Sequence, residues 1–161
     1  MRHATKHFSA AALVAGAILT LLAGGCAATN LVPIADEADF QRQVIEADKP
    51  VVVDFYKEGG CPTCKLLEPI LDQLADEYRG RVIFTKFAVM TPFFQTTSEE
   101  IKQRYNIIGI PTAVLFVNGK EVKRWVLYYM FDDYRKTLDG IVGGPTPKAA
   151  SAATGKPWGK S

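Results

Sequence analysis

Histidine is nearly absent from this chain of 161 residues: there are two, His3 and His7, both in the first seven positions. If that segment is cleaved, the working protein has no histidine. Ser-His-Asp catalysis, Cys-His catalysis and histidine-ligated metal sites are then excluded. The chain also lacks an excess of charge. Its 19 basic and 17 acidic residues leave a net charge of +2, too balanced for a protein held on nucleic acid by phosphate contacts.

The N-terminal residues are typical of a signal peptide. A basic segment, Met1–His7, precedes an apolar run, Ala10–Leu22, which is short for a bilayer-spanning helix of about 20 residues. Small residues then lead to Cys26, and the six residues ending there resemble a bacterial lipobox, whose cysteine takes a diacylglycerol and becomes the new N-terminus. We therefore predict a signal peptide over 1–25, lipidation of Cys26 and a tether over 26–33.

Two alternatives for the N-terminus stay open. Cys26-Ala27-Ala28 could be a small-x-small cleavage site of ordinary secretion, in which case Cys26 is discarded. The apolar run could also be retained as a membrane anchor. All three interpretations place the folded domain outside the cytoplasmic membrane. We expect an exported, periplasm-facing protein that is lipid-anchored to the membrane.

The rest of the chain predicts one α/β domain over 34–143 and a tail over 144–161. The tail is rich in Pro, Ala, Gly and Lys and is predicted to be disordered, because it cannot bury enough apolar surface to order itself. Helices that alternate with strands imply parallel strands, and Asn118-Gly119 predicts an antiparallel hairpin. The pattern predicts helices over 36–48, 62–79, 97–105 and 132–142, and strands over 51–56, 82–89, 113–117 and 121–127.

Three details of the helices are predicted as well. Asp36 caps the first helix, and Thr97 to Glu100 forms a capping box for the third. The last helix directs four apolar side chains inward, those of Tyr134, Leu138, Ile141 and Val142.

The chain has three cysteines. If Cys26 carries lipid, the other two form a single motif, Cys61-Pro62-Thr63-Cys64. Cross-linking residues so close in sequence adds little stability, because the gain grows with loop length, so the pair is predicted to serve chemistry. A zinc site would need two more ligands, and no histidine or second Cys-x-x-Cys supplies them. We predict redox chemistry, no metal and no cofactor.

The position of the motif separates the roles of the two thiols. Cys61 falls at the N-terminus of the second predicted helix, where unpaired N–H groups and the helix dipole lower a thiol pKa. Pro62 suits the first helical turn, since it has no N–H to lose. Cys64 lies one turn further in and is more shielded. Cys61 is thus predicted to attack a substrate disulfide and Cys64 to resolve the mixed disulfide.

Four separated segments together resemble thioredoxin, in its order and nearly its spacing. The resemblance covers about Ile34 to Val142. It implies a thioredoxin fold: a central mixed sheet with parallel strands, a C-terminal antiparallel hairpin and helices on both faces. It also implies dithiol–disulfide exchange at a redox-active pair, Cys61–Cys64. The segments are Val53–Tyr56, Cys61–Lys65, Pro69–Tyr78 and Gly109–Thr112.

The resemblance assigns two charged residues to the site. Asp54 takes the position of a buried acid that assists deprotonation of Cys64, and Lys86 matches the lysine beside that acid. The residues themselves support this, because an aspartate buried in an apolar strand needs either a raised pKa or a partner, and Lys86 could be that partner. The alternatives are a solvated strand-end carboxylate for Asp54 and a surface lysine for Lys86.

The resemblance also implies where the substrate binds. Pro111 matches the cis-proline beside the disulfide, and the backbone of the preceding residue, Ile110, pairs with the substrate chain. Pro111 lies just before a predicted strand, and a strand tolerates proline at its first residue. Three residues around the cysteines complete the expected substrate-binding set: Gly60, Pro62 and Thr63.

The sequence departs from the thioredoxin pattern in several places. Gly60 stands where an aromatic usually precedes the first cysteine, and one residue is inserted between Asp54 and Cys61. The segment 90–98 is longer than in thioredoxin, and the hairpin exit at 126–130 lacks the family's glycine. Within the longer segment, Phe93 and Phe94 either pack against a helix of its own or replace the missing aromatic.

The predicted function is a thiol–disulfide oxidoreductase acting on cysteines of exported proteins. Ile110, Asp54 and Lys86 favour a reductase, which would need a membrane electron donor. Pro62 and the oxidising compartment favour a disulfide-forming oxidant instead. A non-catalytic thioredoxin-like binding or assembly module is a further alternative. No nucleic-acid partner is expected.

Overall fold

A computed structural model describes residues 29–144. The signal peptide, Cys26 and all but the first residue of the predicted tail lie outside the described residues. The strands are β1 (Val32–Ile34), β2 (Val51–Lys57), β3 (Ile83–Met90), β4 (Thr112–Val117) and β5 (Lys120–Val126). The helices are α1 (Glu37–Phe40), α2 (Pro62–Glu77), α3 (Glu99–Arg104) and α4 (Phe131–Val142).

The five strands form one mixed sheet in the order β1-β3-β2-β4-β5. β1 and β2 both pair with β3 in parallel, whereas β4 is antiparallel to β2 and to β5. Crossover helices therefore join the parallel strands, and a hairpin closes the sheet at one edge. This confirms the predicted α/β fold class. None of the helices between residues 29 and 144 is long and apolar enough to span a bilayer.

Two hydrophobic cores lie on opposite faces of the sheet. α2 and α4 cover one face through Leu67, Leu71, Leu74, Tyr134 and Leu138. Phe40, Val44 and Ile101, from α1, the π-helical segment that follows it and α3, cover the other face. The central strand β2 is therefore buried on both sides, which is why its sequence is nearly continuously apolar.

The alternation of side chains along β2 determines on which face of the sheet its one carboxylate, that of Asp54, lies. Val51, Val53 and Phe55 belong to the core beneath α1 and α3, whereas Val52 belongs to the core beneath α2 and α4. Successive side chains of a strand face opposite sides, so Asp54 faces α2 with Val52.

Two predictions near the start of the domain are wrong. The predicted tether includes Val32 and Pro33, but these residues begin β1, a strand of three residues that is too short to show a period. The helix predicted over 36–48 is α1 followed by a π-helical segment, Gln41–Ile45. It ends at Ile45 rather than at residue 48. The predicted cap is confirmed, since the Asp36 carboxylate accepts a hydrogen bond from the backbone N–H of Asp39.

The cap of α3 and the position of Ile141 differ from the prediction. The cap of α3 is Ser98, whose hydroxyl accepts a hydrogen bond from the backbone N–H of Ile101. The capping box predicted from Thr97 to Glu100 is therefore one residue out of register. Ile141 does not face inward but is 40% exposed. In the last turn of α4 it is Val142 that packs against the core.

The predicted hairpin is confirmed. Asn118 and Gly119 have φ values of 51° and 71°, and left-handed backbone at both positions makes a type I′ turn. Gly119 has a second reason to be glycine: a Cβ there would lie 2.6 Å from the backbone oxygen of Ile45.

Candidate active site

The redox motif lies where β2 leads into α2. Cys61 is the N-cap residue of α2, in extended conformation, and Pro62 is the first helical residue. The Cys61 Sγ accepts a hydrogen bond from the backbone N–H of Cys64 at 3.2 Å. A sulfur in this position receives both an N–H donor and the positive end of the helix dipole, and both stabilise a thiolate.

The two cysteines form a disulfide. The S–S distance is 2.02 Å and the Cα atoms of Cys61 and Cys64 are 5.3 Å apart. Cys64 is buried and Cys61 is partly exposed, so a protein thiol or disulfide in solution reaches Cys61 first. Pro62 is exposed and Thr63 partly exposed beside it, and exposed Gly60 precedes Cys61.

Asp54 lies in the sheet on the α2 side and is 4% exposed. Its Oδ1 has no hydrogen-bond partner among the described residues. Burial, and after it the negative charge of Glu68, raise the pKa of Asp54 to about 7 against the opposing effect of the positive charge of Lys86. The alternative of a solvated strand-end carboxylate is therefore wrong. A carboxyl group with this pKa can exchange a proton near neutral pH.

The expected direct pair between Lys86 and Asp54 is not formed. The two residues are neighbours in the register of β2 and β3, but the Lys86 Nζ lies 3.3 Å from the Glu68 Oε1. Glu68 reaches the ammonium from α2 and leaves Asp54 unpaired. We did not predict Glu68. Its signal was its spacing from Cys64, since residues four apart share one face of a helix.

A cavity of about 170 Å³ joins these groups. It brings together four predicted residues, Asp54, Cys61, Cys64 and Lys86. Its other lining residues were not predicted: Tyr56, Lys57, Gly59, Lys65 and Glu68. The cavity thus places a buried acid of raised pKa beside a disulfide. Within residues 29–144, no group of three or more Cys, His, Asp or Glu is arranged to hold a metal ion.

Pro111 and Ile110 lie at the same end of the sheet as the cysteines. The Ile110–Pro111 peptide bond is cis, and Pro111 immediately precedes Thr112, which pairs with Phe55 of β2. Beyond Phe55, β2 runs on towards Cys61. Pro111 is buried and Ile110 is half-buried. Their position is therefore suitable for backbone contact with a chain whose cysteine reaches Cys61.

The segment 90–98 forms a tight turn and contains no helix. Phe93 and Phe94 are 84% and 72% exposed, so the idea that they pack against a helix of that segment is wrong. The turn lies beside the cysteine loop, because a Cβ on Gly59 would be 3.5 Å from the ring of Pro92. The alternative, that the two rings replace the missing aromatic near Cys61, stays a prediction.

Comparison with known proteins agrees with this geometry. The family model for thioredoxin matches residues 31–133. The chain belongs to the thioredoxin family. Thioredoxin C-2 of Corynebacterium nephridii is 37% identical over 97 residues, which cover 60% of this chain and 82% of that protein. Thioredoxin of Chlorobaculum thiosulfatiphilum is 35% identical over 109 residues, covering 68% and 94%.

A third relative is larger. The bifunctional thioredoxin reductase/thioredoxin of Mycobacterium leprae is 34% identical over 90 residues, which cover 56% of this chain and 18% of that protein. With the family assigned and the Cys61–Cys64 disulfide in place, the chain is a thioredoxin-family thiol–disulfide oxidoreductase.

One departure from thioredoxin carries backbone strain. Leu127, at the hairpin exit where the family has glycine, has φ 69°. Its backbone N–H donates to the Pro111 carbonyl oxygen at 2.7 Å, and this bond ties the strained residue to the neighbourhood of the cis-proline. A left-handed conformation costs a residue with a Cβ about 1–2 kcal/mol.

Replacing Leu127 with glycine should therefore stabilise the protein. We expect a gain of about 0.5–1 kcal/mol in the free energy of unfolding, after the entropy cost of the new glycine. Leu127→Ala is the matched control, because it removes the same side chain but keeps the Cβ that causes the strain. Urea titration of the three proteins measures the difference. Equal gains in both variants would show that the side chain, not the backbone, is unfavourable.

Proposed function

We propose that this thioredoxin-family protein is an exported, lipid-anchored reductase of disulfides in other exported proteins. The observation that carries the reductase assignment is the unpaired, buried Asp54 beside Cys64. A base at that position speeds the step that completes substrate reduction and releases the product.

The reaction proceeds in two exchanges. The Cys61 thiolate attacks one sulfur of a substrate disulfide, forms a mixed disulfide and releases the other sulfur as a thiolate. Cys64 then loses its proton to Asp54 and attacks the Cys61 Sγ, which releases the second substrate thiolate. The substrate gains two electrons, and the protein is left with the Cys61–Cys64 disulfide. A dithiol or reductase at the membrane must restore the reduced form.

The direction of electron flow has support on both sides. Ile110 before the cis-proline, together with Asp54, favours the reductase, and so does the likeness to proteins named thioredoxin. Pro62 between the cysteines and the oxidising compartment favour an oxidant. We favour the reductase, because a buried base beside Cys64 speeds resolution, the step that completes every turnover of a reductase.

Insulin reduction and a redox titration test this proposal. The wild-type residues 27–161 should precipitate insulin in the presence of dithiothreitol faster than dithiothreitol alone. Equilibration with glutathione should give a potential nearer thioredoxin's, about −270 mV, than the about −120 mV of the strongest periplasmic oxidants. A potential at the oxidant end would favour the disulfide-forming alternative. No insulin reduction at all would favour a binding or assembly module.

The location rests on the N-terminal sequence. If Cys26 carries two or three acyl chains, the full-length protein should sediment with membranes, since multiple chains hold a protein firmly. Cys26→Ser should move most of the protein into the soluble fraction or block its maturation. Cys61→Ser should stay with the membrane and is the matched control. A soluble wild type whose N-terminus follows Ala28 would instead support plain secretion.

The proposed partners follow from this location. They are exported proteins that hold cysteines, and a membrane electron donor that returns two electrons to the Cys61–Cys64 pair after each turnover. Incubating membranes with a Cys64→Ser variant should trap substrates as mixed disulfides on Cys61. Trapping cytoplasmic proteins alone in intact cells would argue against the exported role.

A further inference from the structure

Lys57 is a buried cation at the entrance to the redox motif. It is the last residue of β2 and is 8% exposed. Its Nζ donates hydrogen bonds to the backbone oxygens of Gly59 at 2.7 Å and Glu58 at 3.4 Å. Lysine is almost never buried unless it is paired, yet Lys57 forms no ion pair with a carboxylate within residues 29–144.

An irregularity in the sheet accompanies the position of Lys57. The β2–β3 register shifts between Tyr56 and Lys57. Strict alternation would direct adjacent side chains to opposite faces, but Lys57 lines the same cavity as Asp54 and Tyr56. Bulges next to active sites commonly redirect a side chain in this way.

The ammonium holds the loop that ends at Cys61. Gly59 and Gly60 have φ values of 59° and 60°, which suit glycine. The Gly59 carbonyl is fixed by Lys57, and a Cβ on Gly60 would lie 3.6 Å from the Lys57 Nζ. The ammonium therefore lies close to Gly60, the residue that immediately precedes Cys61. Lys57 and Cys61 also line the same cavity.

The segment 90–98 lies against this charge and against the loop that it binds. The Lys57 Nζ lies 4.4 Å from the centroid of the Phe94 ring, a cation–π contact. Pro92 of the same segment lies against Gly59. A charge that is shielded from water acts more strongly on its neighbours than one in solution.

Other charged groups face the cavity and do not replace Lys57. The Lys86 ammonium is paired with Glu68, and the side chain of Lys65 is exposed. Asp54 has a pKa of about 7 and therefore carries little charge in mildly acidic solution. Tyr56 on β2 also lines the cavity. Glu58, in the loop that follows Lys57, is exposed and does not line the cavity.

We propose that Lys57 is a positioning residue that fixes the Gly59–Gly60 loop and stabilises the thiolate of Cys61, and that Phe94 holds the ammonium in place. This inference rests on the proposed role of Cys61 as the attacking thiol. Two consequences follow. Cys61 reacts at lower pH than it would without the ammonium, and the reduced protein is favoured in its equilibrium with glutathione.

Two variants separate the charge from the hydrogen bonds. Lys57→Met removes both the charge and the donor, while Lys57→Gln keeps a donor without charge. The rate of alkylation of Cys61 in the reduced protein is followed against pH by peptide mapping. At mildly acidic pH we expect both variants to react about threefold to tenfold more slowly than wild type, with convergence at alkaline pH where the thiol is ionised. Lys123→Met removes an equal charge from exposed β5 and should leave the profile unchanged.

A redox equilibrium gives an independent readout. In it, the oxidised protein and two glutathione molecules yield the reduced protein and glutathione disulfide. The equilibrium constant should fall about threefold to tenfold in Lys57→Met, because the thiolate of the reduced form is less stabilised. Phe94→Ala should show a smaller shift in the same direction, and Lys57→Arg should restore most of the wild-type profile.

Two results would overturn the inference. One is a wild-type alkylation profile in Lys57→Met. The other is a wild-type profile in Lys57→Gln with loss in Lys57→Met, which would assign the whole effect to the hydrogen bonds. These outcomes are separate from a failure of the proposed function, because alkylation and the glutathione equilibrium require no exported substrate. A wild type that fails to reduce insulin would leave the two Lys57 measurements informative.

Discussion

Replacing Cys61 with serine is expected to abolish disulfide reduction. The loss should be at least about a thousandfold, as for other catalytic nucleophiles, because no other partly exposed thiol exists in residues 29–144. Cys61 combines three features of an attacking thiol: it is accessible, it caps α2, and its sulfur accepts the backbone N–H of Cys64. The measurement is insulin reduction with dithiothreitol as electron donor.

Cys64→Ser is the matched variant for this test, since it removes the same disulfide and keeps the attacking thiol. It should still attack a substrate disulfide once and then stop as a mixed disulfide. The folded state should lose little stability in either variant, because the cross-link closes a very short loop. In the reduced wild type, alkylation at mildly acidic pH should label Cys61 first. Faster labelling of Cys64 would reverse the two roles.

The fold was predictable because its signals are repeated along the chain. β2 is nearly continuously apolar, α2 carries a buried stripe at helical spacing, and Asn118-Gly119 specifies its turn. β1 was missed because three residues show no period, and it is fixed by pairing with β3. The π-helical continuation of α1 also has no sequence signature of its own.

The candidate site was predictable in its centre but not at its edges. The cysteines and Asp54 are set by local sequence and by the alternation of one strand. Lys86 was predicted to pair with Asp54, but its partner depends on where α2 places Glu68 relative to β3. Lys57 was missed for a similar reason. A lysine at a strand end normally reaches solvent, and a register shift together with Phe94 is what buries it here.

The second large effect is expected from Asp54→Asn, which keeps the shape of the side chain and removes the base. Resolution of the mixed disulfide should slow about tenfold or more, within the usual contribution of a general base. Initial attack by Cys61 should be unchanged. The mixed disulfide with a model substrate is trapped and its decay timed. In wild type the decay should quicken as pH rises through about 7, where Asp54 ionises, and that rise should disappear in Asp54→Asn.

The free energy of unfolding gives a second test of Asp54. The change Asp54→Asn should lower activity but raise stability. Asp54 has a pKa of about 7 in the folded protein against an ordinary value of 3.8, so the folded state holds its proton more tightly than the unfolded chain. The contribution of Asp54 to the free energy of unfolding is fully favourable below its pKa in the unfolded chain. This contribution is lost as the pH rises through its pKa in the folded protein. Integrated over that window, the loss is on the order of 4 kcal/mol.

Asp54→Asn should therefore be more stable than wild type above pH 7 by up to that amount, and the advantage should shrink towards pH 4 as Asp54 becomes protonated in both states. Asp48→Asn, on the exposed loop before β2, is the matched control and should show no such trend.

Slower resolution together with higher stability would mean that the fold accepts an unfavourable buried acid because Cys64 needs a base. Equal decay of the mixed disulfide in both proteins would show that Asp54 is structural, and that Glu58 or water takes the proton.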